Sequence, residues 1–402
     1  LRTQRCFPPE DNRDPQGEKS WFFNSPRTFT TISKYASYQA STFVSALKEE
    51  KLTLANSSSP NILTENNYSR KTNLLNKPKI IKFGTNCDLS NEKKWHPQLH
   101  ELNKLPSFLR VVSGCNMLSH VGYNLLGMNT VQLYMKVPGA RTPGHQENNN
   151  MCAINMNIGP GDCEWFIVPE QHWGTICRMC EKNNIDYLSG SWWPLLEDLE
   201  EAAIPFYRFL QRPGDLVWLN SGSVHWVQSL GWCNNIAWNV GPLSGRQYEN
   251  AFERYEFNRL KGYKSIVPML HLTVQMTKNI KITDLHLYEL MKLTLLRCLV
   301  QSYVSREFIE NVLKLQIKFH GKKPEDIAHY CHECDCEVFN LLYVSQQDKQ
   351  FVVRCFNCSR KIDPKLSNFT ILSEYHQDQL AKIYDSLILQ NQPMSAYARH
   401  EM

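Results

Sequence analysis

The sequence lacks three features that would each assign it to a broad class of proteins. It has no apolar run of about 18 residues, so we expect no membrane span. Its first residues, LRTQRCFPPEDNRD, contain no apolar core of a signal peptide. The net charge is only +5, from 44 basic and 39 acidic residues, which does not suit a basic nucleic-acid clamp. We therefore expect neither a membrane protein nor a sequence-specific DNA-binding protein.

The spacing of the cysteines does not suit a small secreted protein that is stabilised by disulfides. Of 14 cysteines, four form two neighbouring Cys-x-x-Cys pairs near the C-terminal end, two form an isolated pair of the same spacing, and the others are scattered in apolar runs. This usage is typical of an intracellular, metal-binding protein. Hydrophobic residues make up 42% of the chain and aromatic residues 11%, so we expect a folded core. Because the sequence starts at Leu1 rather than Met, we expect a fragment of a longer protein.

A strand beginning near Thr130 leads into a candidate metal-binding motif. Residues 131–137 alternate between apolar and polar side chains, and this period of two predicts a half-buried strand. The chain then reaches His145 and Glu147, which are two residues apart and so share one face of extended backbone. An imidazole and a carboxylate are two of the three ligands of a facial 2-His-1-carboxylate iron site.

The third ligand is predicted at His225. A turn signal at 212–215 precedes a short strand, a turn at 220–223 and a second strand that opens with His225. The alternative is a core histidine that is satisfied among tryptophans. The His-Gln-Asp sequence at 376–378 has the same spacing as His145 and Glu147. It lies in a charged, helix-like tail without alternation, so we interpret it as solvated surface.

The two Cys-x-x-Cys pairs predict a second metal site. Four thiolates in two such pairs suit a closed, tetrahedral, structural zinc site. Residues 337–344 and 350–354 are interpreted as a hairpin that brings the pairs together. His332, inside the first pair, is the alternative ligand. The predicted zinc ligands are Cys331, Cys334, Cys355 and Cys358.

The spacing of short strands predicts a mainly β fold with flanking helices. The strands are separated by Gly and Pro turns and are rich in aromatic and β-branched residues, which is typical of a cupin-like jelly roll, a double-stranded β-helix. A helical insert is predicted at 170–202, and its Cys177-x-x-Cys180 pair has no second half, so we assign it no metal. Residues 245–320 are predicted to be helical. The predicted strands lie near 131–137, 151–158, 163–168, 206–210, 215–219, 224–230 and 233–240.

Several long motifs resemble the JmjC domain of UTX-type histone demethylases, which act on methylated lysine 27 of histone H3. The motifs are GHQENNN, GPGDCEWF, GSWWP, RPGDLVW, VHWVQ and GWCNNIAWNVGPL. The likeness runs from near residue 2 to about residue 390 and is interrupted mainly at 50–78. The resemblance implies an enzyme that hydroxylates N-methyl groups with Fe(II) and 2-oxoglutarate and releases formaldehyde.

The co-substrate 2-oxoglutarate would bury a carboxylate that needs a cation and hydrogen-bond donors. Lys136, on the polar face of the first strand, is the predicted cation, although a lysine whose charged end reaches solvent is the alternative. Thr142 supplies a hydroxyl. The resemblance further implies that Asn155 and Asn235 line the co-substrate pocket and that Tyr134 flanks the methylammonium group.

One position departs from the family pattern. Relatives carry Ser in the strand after HQENNN, whereas this chain has Ala153 in MCAINMN. The change removes a hydroxyl beside the predicted pocket. We therefore expect an effect on co-substrate affinity or methyl-group positioning and none on iron binding.

Four domains are predicted along the chain. Residues 1–104 form an irregular and helical segment with a disordered loop near 55–78, and 105–244 form the JmjC jelly roll. Residues 245–328 form a helical domain, and 329–402 form the zinc-binding domain with a C-terminal helix.

The leading functional hypothesis is a nuclear demethylase of di- and trimethylated lysine 27 on histone H3. Its partners would be the H3 tail and a chromatin complex that is bound through regions outside this sequence. The resemblance also implies that the zinc domain grips the tail N-terminal to the target lysine. Two alternatives stay open: a JmjC protein hydroxylase that leaves a stable hydroxyl, and a weakly active chromatin scaffold that only holds the tail.

Overall fold

A computed structural model describes residues 1–57, 80–323 and 326–390, without the side chains of 53–57. The contacts divide the chain into two compact units. The first comprises Leu1–Trp95, Val131–Glu147 and Ala153–Trp238, and the second comprises the described residues of His96–Thr130, Asn148–Cys152 and the chain from Asn239 onward.

The strands of the first unit form two facing antiparallel sheets of a jelly roll. One sheet has the order β1-β2-β3-β10-β5-β8 and the other β4-β9-β6-β7. The predicted fold class is thereby confirmed. The elements up to residue 240 are β1 Arg2–Arg5, α1 Ile32–Ser57, β2 Ile80–Asp88, α2 Glu92–Leu102, β3 Gln132–Lys136, β4 Arg141–His145, β5 Cys152–Pro160, β6 Cys163–Val168, α3 Trp173–Lys182, α4 Leu196–Glu201, β7 Tyr207–Gln211, β8 Leu216–Leu219, β9 Val224–Ser229 and β10 Cys233–Val240.

Each predicted strand between 131 and 240 is present within about two residues of its expected ends. Up to residue 240, three of the described strands were not predicted, namely β1, β2 and β4. β1 lies in a segment interpreted as irregular, where Arg2–Arg5 pairs with residues 80–83 of β2, and β4 carries a proline and a glycine. Of the predicted loop near 55–78, residues 55–57 belong to α1 and the others lie outside the described residues.

The helical insert at 170–202 packs on the four-stranded sheet through a core of tryptophans. Trp192 and Trp193 are fully buried, and Phe166 of β6 stacks on Trp226 of β9 at 5.5 Å. Trp192 lies so close to Gly144 that any Cβ at that position would sit 2.0 Å from its ring. A glycine is therefore required immediately before His145.

From Gly245 to Glu307 the second unit contains three helices. Asp284 starts α7 by accepting a hydrogen bond from Leu287 N, and Ser244 starts α5 by accepting one from Gln247 N. The sequence analysis did not identify α6 as a separate helix. The prediction that residues 245–320 are helical is wrong beyond Val312, because a π-helical turn ends there and a strand follows. The elements are α5 Gly245–Leu260, α6 Met269–Asn279, α7 Leu285–Glu307 and β11 Ile317–Phe319.

A small β module follows and carries the two cysteine pairs. Its four-stranded sheet has the order β11-β16-β14-β15, and β12 pairs separately with β13. The predicted hairpin is present, with Tyr343 opposite Arg354. None of the helices in the described ranges is long and apolar enough to span a membrane. The elements are β12 His329–Tyr330, β13 Glu337–Val338, β14 Leu341–Gln347, β15 Gln350–Arg354, α8 Phe356–Ile362, β16 Thr370–Ser373 and α9 Gln377–Ser386.

Candidate metal and co-substrate site

The three predicted iron ligands lie together at one end of β4 and β9. His145 is directly opposite His225 in the antiparallel ladder, and their ring centroids are 4.2 Å apart. Glu147 Oε1 is 3.8 Å from His145 Nε2 and 3.5 Å from His225 Nε2. One donor atom from each residue falls within 4.8 Å of the others, so a single ion could contact all three.

The hydrogen bonds of the two imidazoles leave their Nε2 atoms available as ligands. His145 Nδ1 lies 2.9 Å from Pro143 O, and His225 Nδ1 lies 3.4 Å from Ser223 O. Because a carbonyl oxygen can only accept, Nδ1 carries the proton in each ring. The lone pair is then on Nε2, which faces the carboxylate, as in other histidines that bind metals.

The environment of His225 favours the neutral form that a metal requires. The residue is 3% exposed, and its ring stacks on Trp165 at 5.8 Å. Burial lowers the pKa of His225 well below its ordinary value, and the neighbouring charge of His145 lowers it further. No proton therefore has to leave this ring at neutral pH before an ion binds.

A cavity in the first unit opens beside the triad. Its wall contains Lys136, Thr142, Tyr134 and Asn155 from the predicted set, but it does not include Asn235. The lining residues are Tyr134, Lys136, Thr142, His145, Glu147, Ala153, Ile154, Asn155, Trp165, Leu219, His225, Val227 and Ala237.

Lys136 is a buried cation, and its ammonium group contacts a thiol rather than a carboxylate among the described residues. It is 3% exposed, and its Nζ donates to Cys163 Sγ at 3.5 Å. In the described part of the chain, Lys136 makes no ion pair with an acidic residue. An isolated buried charge is unfavourable, so the pocket suits an anionic ligand that would pair with Nζ.

A polar network lies behind the cavity wall. Asn235 Nδ2 donates to Asn155 Oδ1 at 2.9 Å and to Gln211 Oε1 at 3.0 Å. Asn235 thus orients the amide of Asn155 from behind, whereas Asn155 itself reaches the cavity. Gln211 also accepts from Trp165 Nε1 at 2.8 Å, which ties the ring beside His225 to the same network.

Two thiols belong to this network. Cys163 Sγ and Cys233 Sγ are 3.2 Å apart, and Cys233 lies opposite Lys136 in the ladder of β10 and β3. The hydrogen bond from Cys233 and then the charge of Lys136 lower the pKa of Cys163 to about 6. A thiolate at Cys163 would offset part of the Lys136 charge when no ligand is present.

The remaining predicted pocket residues occupy the wall near the triad. Tyr134 donates its hydroxyl hydrogen to Gln132 Oε1 at 2.8 Å, and burial followed by the charge of Glu147 raises the pKa of Tyr134. The phenol therefore stays neutral. Ala153 is 5% exposed and lies opposite Leu219 in the ladder of β5 and β8, so this part of the wall is apolar.

The four cysteines of the predicted zinc site lie together in the β module. One Sγ from each falls within 4.8 Å of the others, and Cys355 starts α8 by accepting a hydrogen bond from Cys358 N. Cys336 Sγ is 3.3 Å from Cys334 Sγ, at the edge of this group. The cluster consists of Cys331, Cys334, Cys355 and Cys358.

The chemistry of both donor sets fits the expected metals. Two imidazole nitrogens and one carboxylate form the facial set that non-haem iron prefers. Four thiols whose sulfur atoms lie within 4.8 Å of one another suit a structural zinc ion. Sequence reasoning missed Gln146, Cys163, Gln211 and Cys233 at the first site, and only the alternation of their strands hinted that they face the interior.

Three family models match successive parts of the chain, and two of these parts contain the candidate metal sites. A family model described as JmjC domain, hydroxylase matches residues 132–240. The model for the C-terminal helical domain of lysine-specific demethylase 6/UTY matches 247–302. A model described as KDM6, GATA-like matches 320–377, which contains the four cysteines.

The chain is also similar to longer proteins. It is 51% identical over 393 residues to human lysine-specific demethylase 6B, a match that covers 97% of this chain and 24% of that protein. It is 33% identical over 304 residues to the lysine-specific demethylase jmjd-3.1 of Caenorhabditis elegans, covering 75% and 28%. The chain therefore spans about a quarter of the length of these relatives.

Proposed function

Because the chain belongs to the UTX-type lysine-specific demethylase 6 family, we propose that it demethylates di- and trimethylated lysine 27 of histone H3 with Fe(II) and 2-oxoglutarate. The observation that carries the proposal is that three metal-binding side chains and one buried lysine meet at a single cavity. A scaffold that only held a histone tail would need neither. The protein would accordingly act in the nucleus, on the H3 tail and within a larger chromatin complex.

The triad would hold the iron through His145 Nε2, His225 Nε2 and a Glu147 carboxylate oxygen. When bound, iron with 2-oxoglutarate and dioxygen supplies the oxidation of an N-methyl group to a hydroxymethyl group, which is then lost as formaldehyde. The protein keeps both rings in the required tautomer through Pro143 O and Ser223 O. Burial of His225 keeps water away from one side of the site.

The cavity wall would hold the co-substrate by its carboxylate. Lys136 Nζ would pair with that group, and the Thr142 hydroxyl would donate to it. Asn155 would contribute its amide, and Asn235 would keep that amide oriented through the 2.9 Å hydrogen bond. This arrangement removes the cost of a buried, unpaired ammonium group.

Tyr134 would flank the methylated lysine. Its ring packs beside Phe83, with centroids 6.3 Å apart, and its hydroxyl is engaged by Gln132. The face of a neutral phenol attracts a methylammonium cation. Tyr134 would therefore position the methyl group without transferring a proton.

The cysteine cluster would hold a structural zinc ion and recognise a part of the tail away from the target lysine. Apparent folding free energies from such zinc sites are on the order of 10–16 kcal/mol, which a module this small needs. Many histone lysines carry methyl groups, so a pocket for the side chain alone could not select one. Selection would come from tail residues that contact the module, as the family resemblance implies.

Mass spectrometry of a trimethylated H3 tail peptide tests the function directly. The protein would be incubated with Fe(II), ascorbate and 2-oxoglutarate. We expect the peptide to lose mass in steps of one CH₂ group, and each step to release one formaldehyde. The variants His145→Ala and Glu147→Ala should show no turnover while unfolding at nearly the wild-type temperature.

Two results would favour the alternatives. A stable mass gain of one oxygen atom without formaldehyde would indicate a protein hydroxylase. Tail binding without turnover in the wild-type protein would indicate a scaffold. The apolar wall at Ala153 is the feature that favours this alternative. Demethylation that persists in His145→Ala would mean that the metal site is assigned wrongly.

A further inference from the structure

Gln146 lies between the two candidate ligands His145 and Glu147. Its side chain makes one hydrogen bond to the turn before β9 and one to the helical insert. The carboxamide of Gln146 donates from Nε2 to Gly222 O at 2.6 Å, and its Oε1 accepts from the Tyr187 hydroxyl at 2.5 Å. In extended backbone, neighbouring side chains leave on opposite faces. Gln146 is therefore directed away from the cavity that His145 and Glu147 face.

The Gly222 contact reaches the segment that carries the third ligand. Gly222 lies in the turn before β9 with φ +73°, a backbone conformation that favours glycine. The next carbonyl, Ser223 O, is the acceptor that orients His225. A hydrogen bond from Gln146 to this turn thus joins the strand end that carries His145 and Glu147 to the turn that positions His225.

The Tyr187 contact reaches the helical insert. Tyr187 is 7% exposed, and its ring stacks on Trp192 at 5.4 Å. Trp192 in turn accepts at its carbonyl from Gly144 N at 2.7 Å. The insert therefore contacts the residues immediately before and after His145, through Trp192 and Tyr187 respectively.

The β ladder by itself does not account for the position of Glu147. Its last pair is His145 with His225, and the register shifts between Thr142 and His145. Glu147 lies two residues beyond that pair. A further constraint on this segment is needed to keep the carboxylate within 3.8 Å of both imidazoles, and the carboxamide of Gln146 is attached to the adjacent residue.

We propose that Gln146 is a positioning residue, which holds Glu147 and His225 at metal-binding distance and through which the insert at 170–202 supports the metal site. The proposal rests on the proposed role of the triad. Partners that orient metal ligands from behind typically contribute 10- to 100-fold in metal affinity. We expect losses of roughly this size when both hydrogen bonds of Gln146 are removed.

Mn(II) titration of the full chain, followed by electron paramagnetic resonance of the free ion, measures this effect without turnover. We expect Gln146→Leu to weaken Mn(II) binding roughly 10- to 100-fold. Tyr187→Phe keeps the stacked ring and removes one hydrogen bond, so its loss should be smaller. Tyr35→Phe is the matched control, because it removes a buried hydroxyl bonded to Lys82 O at 2.7 Å outside the metal-binding segments.

A second readout separates positioning from general damage. Raising the Fe(II) concentration should restore most of the turnover of Gln146→Leu, whereas a variant that is damaged elsewhere would not respond to the metal. Should Gln146→Leu fail to fold, as judged by its thermal unfolding, the smaller change Tyr187→Phe decides the question by the same titration.

The Glu147→Ala variant distinguishes a failure of the proposed metal site from a failure of the proposed role of Gln146. If Glu147→Ala binds Mn(II) as tightly as the wild type, the triad is not a metal site and the proposed function fails. If Glu147→Ala loses affinity while Gln146→Leu and Tyr187→Phe do not, only the role of Gln146 is overturned.

Discussion

We expect the variant Lys136→Met to lose affinity for 2-oxoglutarate and, below the Cys163 pKa of about 6, to become more stable in its absence. Methionine keeps the length and the apolar stem of the side chain but removes the charge. In the wild type Lys136 is 3% exposed, and the described polar contact of its ammonium group is with Cys163 Sγ. When Cys163 is a neutral thiol, the charge destabilises the ligand-free protein, and it attracts an anionic ligand.

The two effects have different origins. Removing one partner of a buried ion pair costs about 3–5 kcal/mol, which at about 1.4 kcal/mol per tenfold is a loss of roughly 10²- to 10³-fold or more in affinity. Without the ligand, and at a pH where Cys163 is a neutral thiol, replacing the unpaired buried charge by an apolar group removes an unfavourable term and stabilises the protein. At a higher pH, Cys163 loses the neighbouring charge that favours its thiolate and returns to the neutral thiol.

Calorimetric titration of the Mn(II)-loaded protein with 2-oxoglutarate measures the first effect, and thermal unfolding without ligand measures the second. Lys82→Met is the control, because Lys82 is an exposed lysine on the adjoining strand β2. Unchanged affinity in Lys136→Met would refute the assignment of the cation. Arg141 could not simply replace it, since its guanidinium is buried against Trp193 and donates to Asp11 O.

Three further predictions follow from the same sites. Ala153→Ser should strengthen co-substrate or substrate binding by about 1 kcal/mol, the value of one neutral hydrogen bond. The KM of the co-substrate or of the substrate measures this effect. If neither KM changes, the wall needs no hydroxyl at this position. Because the pKa of Cys163 is lowered to about 6 from its ordinary 9.0, its contribution to the free energy of unfolding is full above pH 9 and lost as the pH falls to 6. The wild type should therefore lose stability relative to Cys163→Ser over that window in urea titrations, and parallel curves would contradict it. Cys355→Ser should reduce demethylation of a long H3 peptide more than it reduces 2-oxoglutarate turnover without peptide; an equal fall of both would make the zinc a general structural support, and no fall in either would exclude a role in recognition.

The metal ligands could be predicted from the sequence because local rules place them. His145 and Glu147 are related by the period of a strand, and His225 follows a turn that the Asn, Ser and Gly residues at 220–223 indicate. The cysteine pairs are recognisable for the same reason, since the two residues of each pair are close in sequence, one pair in a turn and the other at the start of α8. The strand that contains Lys136 could likewise be predicted from its alternation.

Elements without such local signals were missed. β1 has the sequence RTQR, with no apolar residue, and is a strand only because it pairs with β2. α6 contains threonines and a valine, whose helix propensity is modest, and it is stabilised by Glu337. That carboxylate accepts hydrogen bonds from Leu270 N and His271 N at the start of the helix, 66 residues away in sequence from His271.

The groups behind the ligands could not be predicted, because each depends on strands that are distant in the sequence. Cys163 and Cys233 meet across the two sheets, at a separation of 70 residues, and nothing in the strand that carries either of them indicates this contact. The same limit applies to a residue that is identified by resemblance, such as Asn235. A motif gives the identity of the residue, but the neighbouring residues decide whether it touches the ligand. In this chain the amide of Asn235 reaches Asn155 and Gln211, so its effect on a co-substrate would be exerted through Asn155. Changing Asn235 should therefore resemble changing the orientation of Asn155 rather than removing a direct contact.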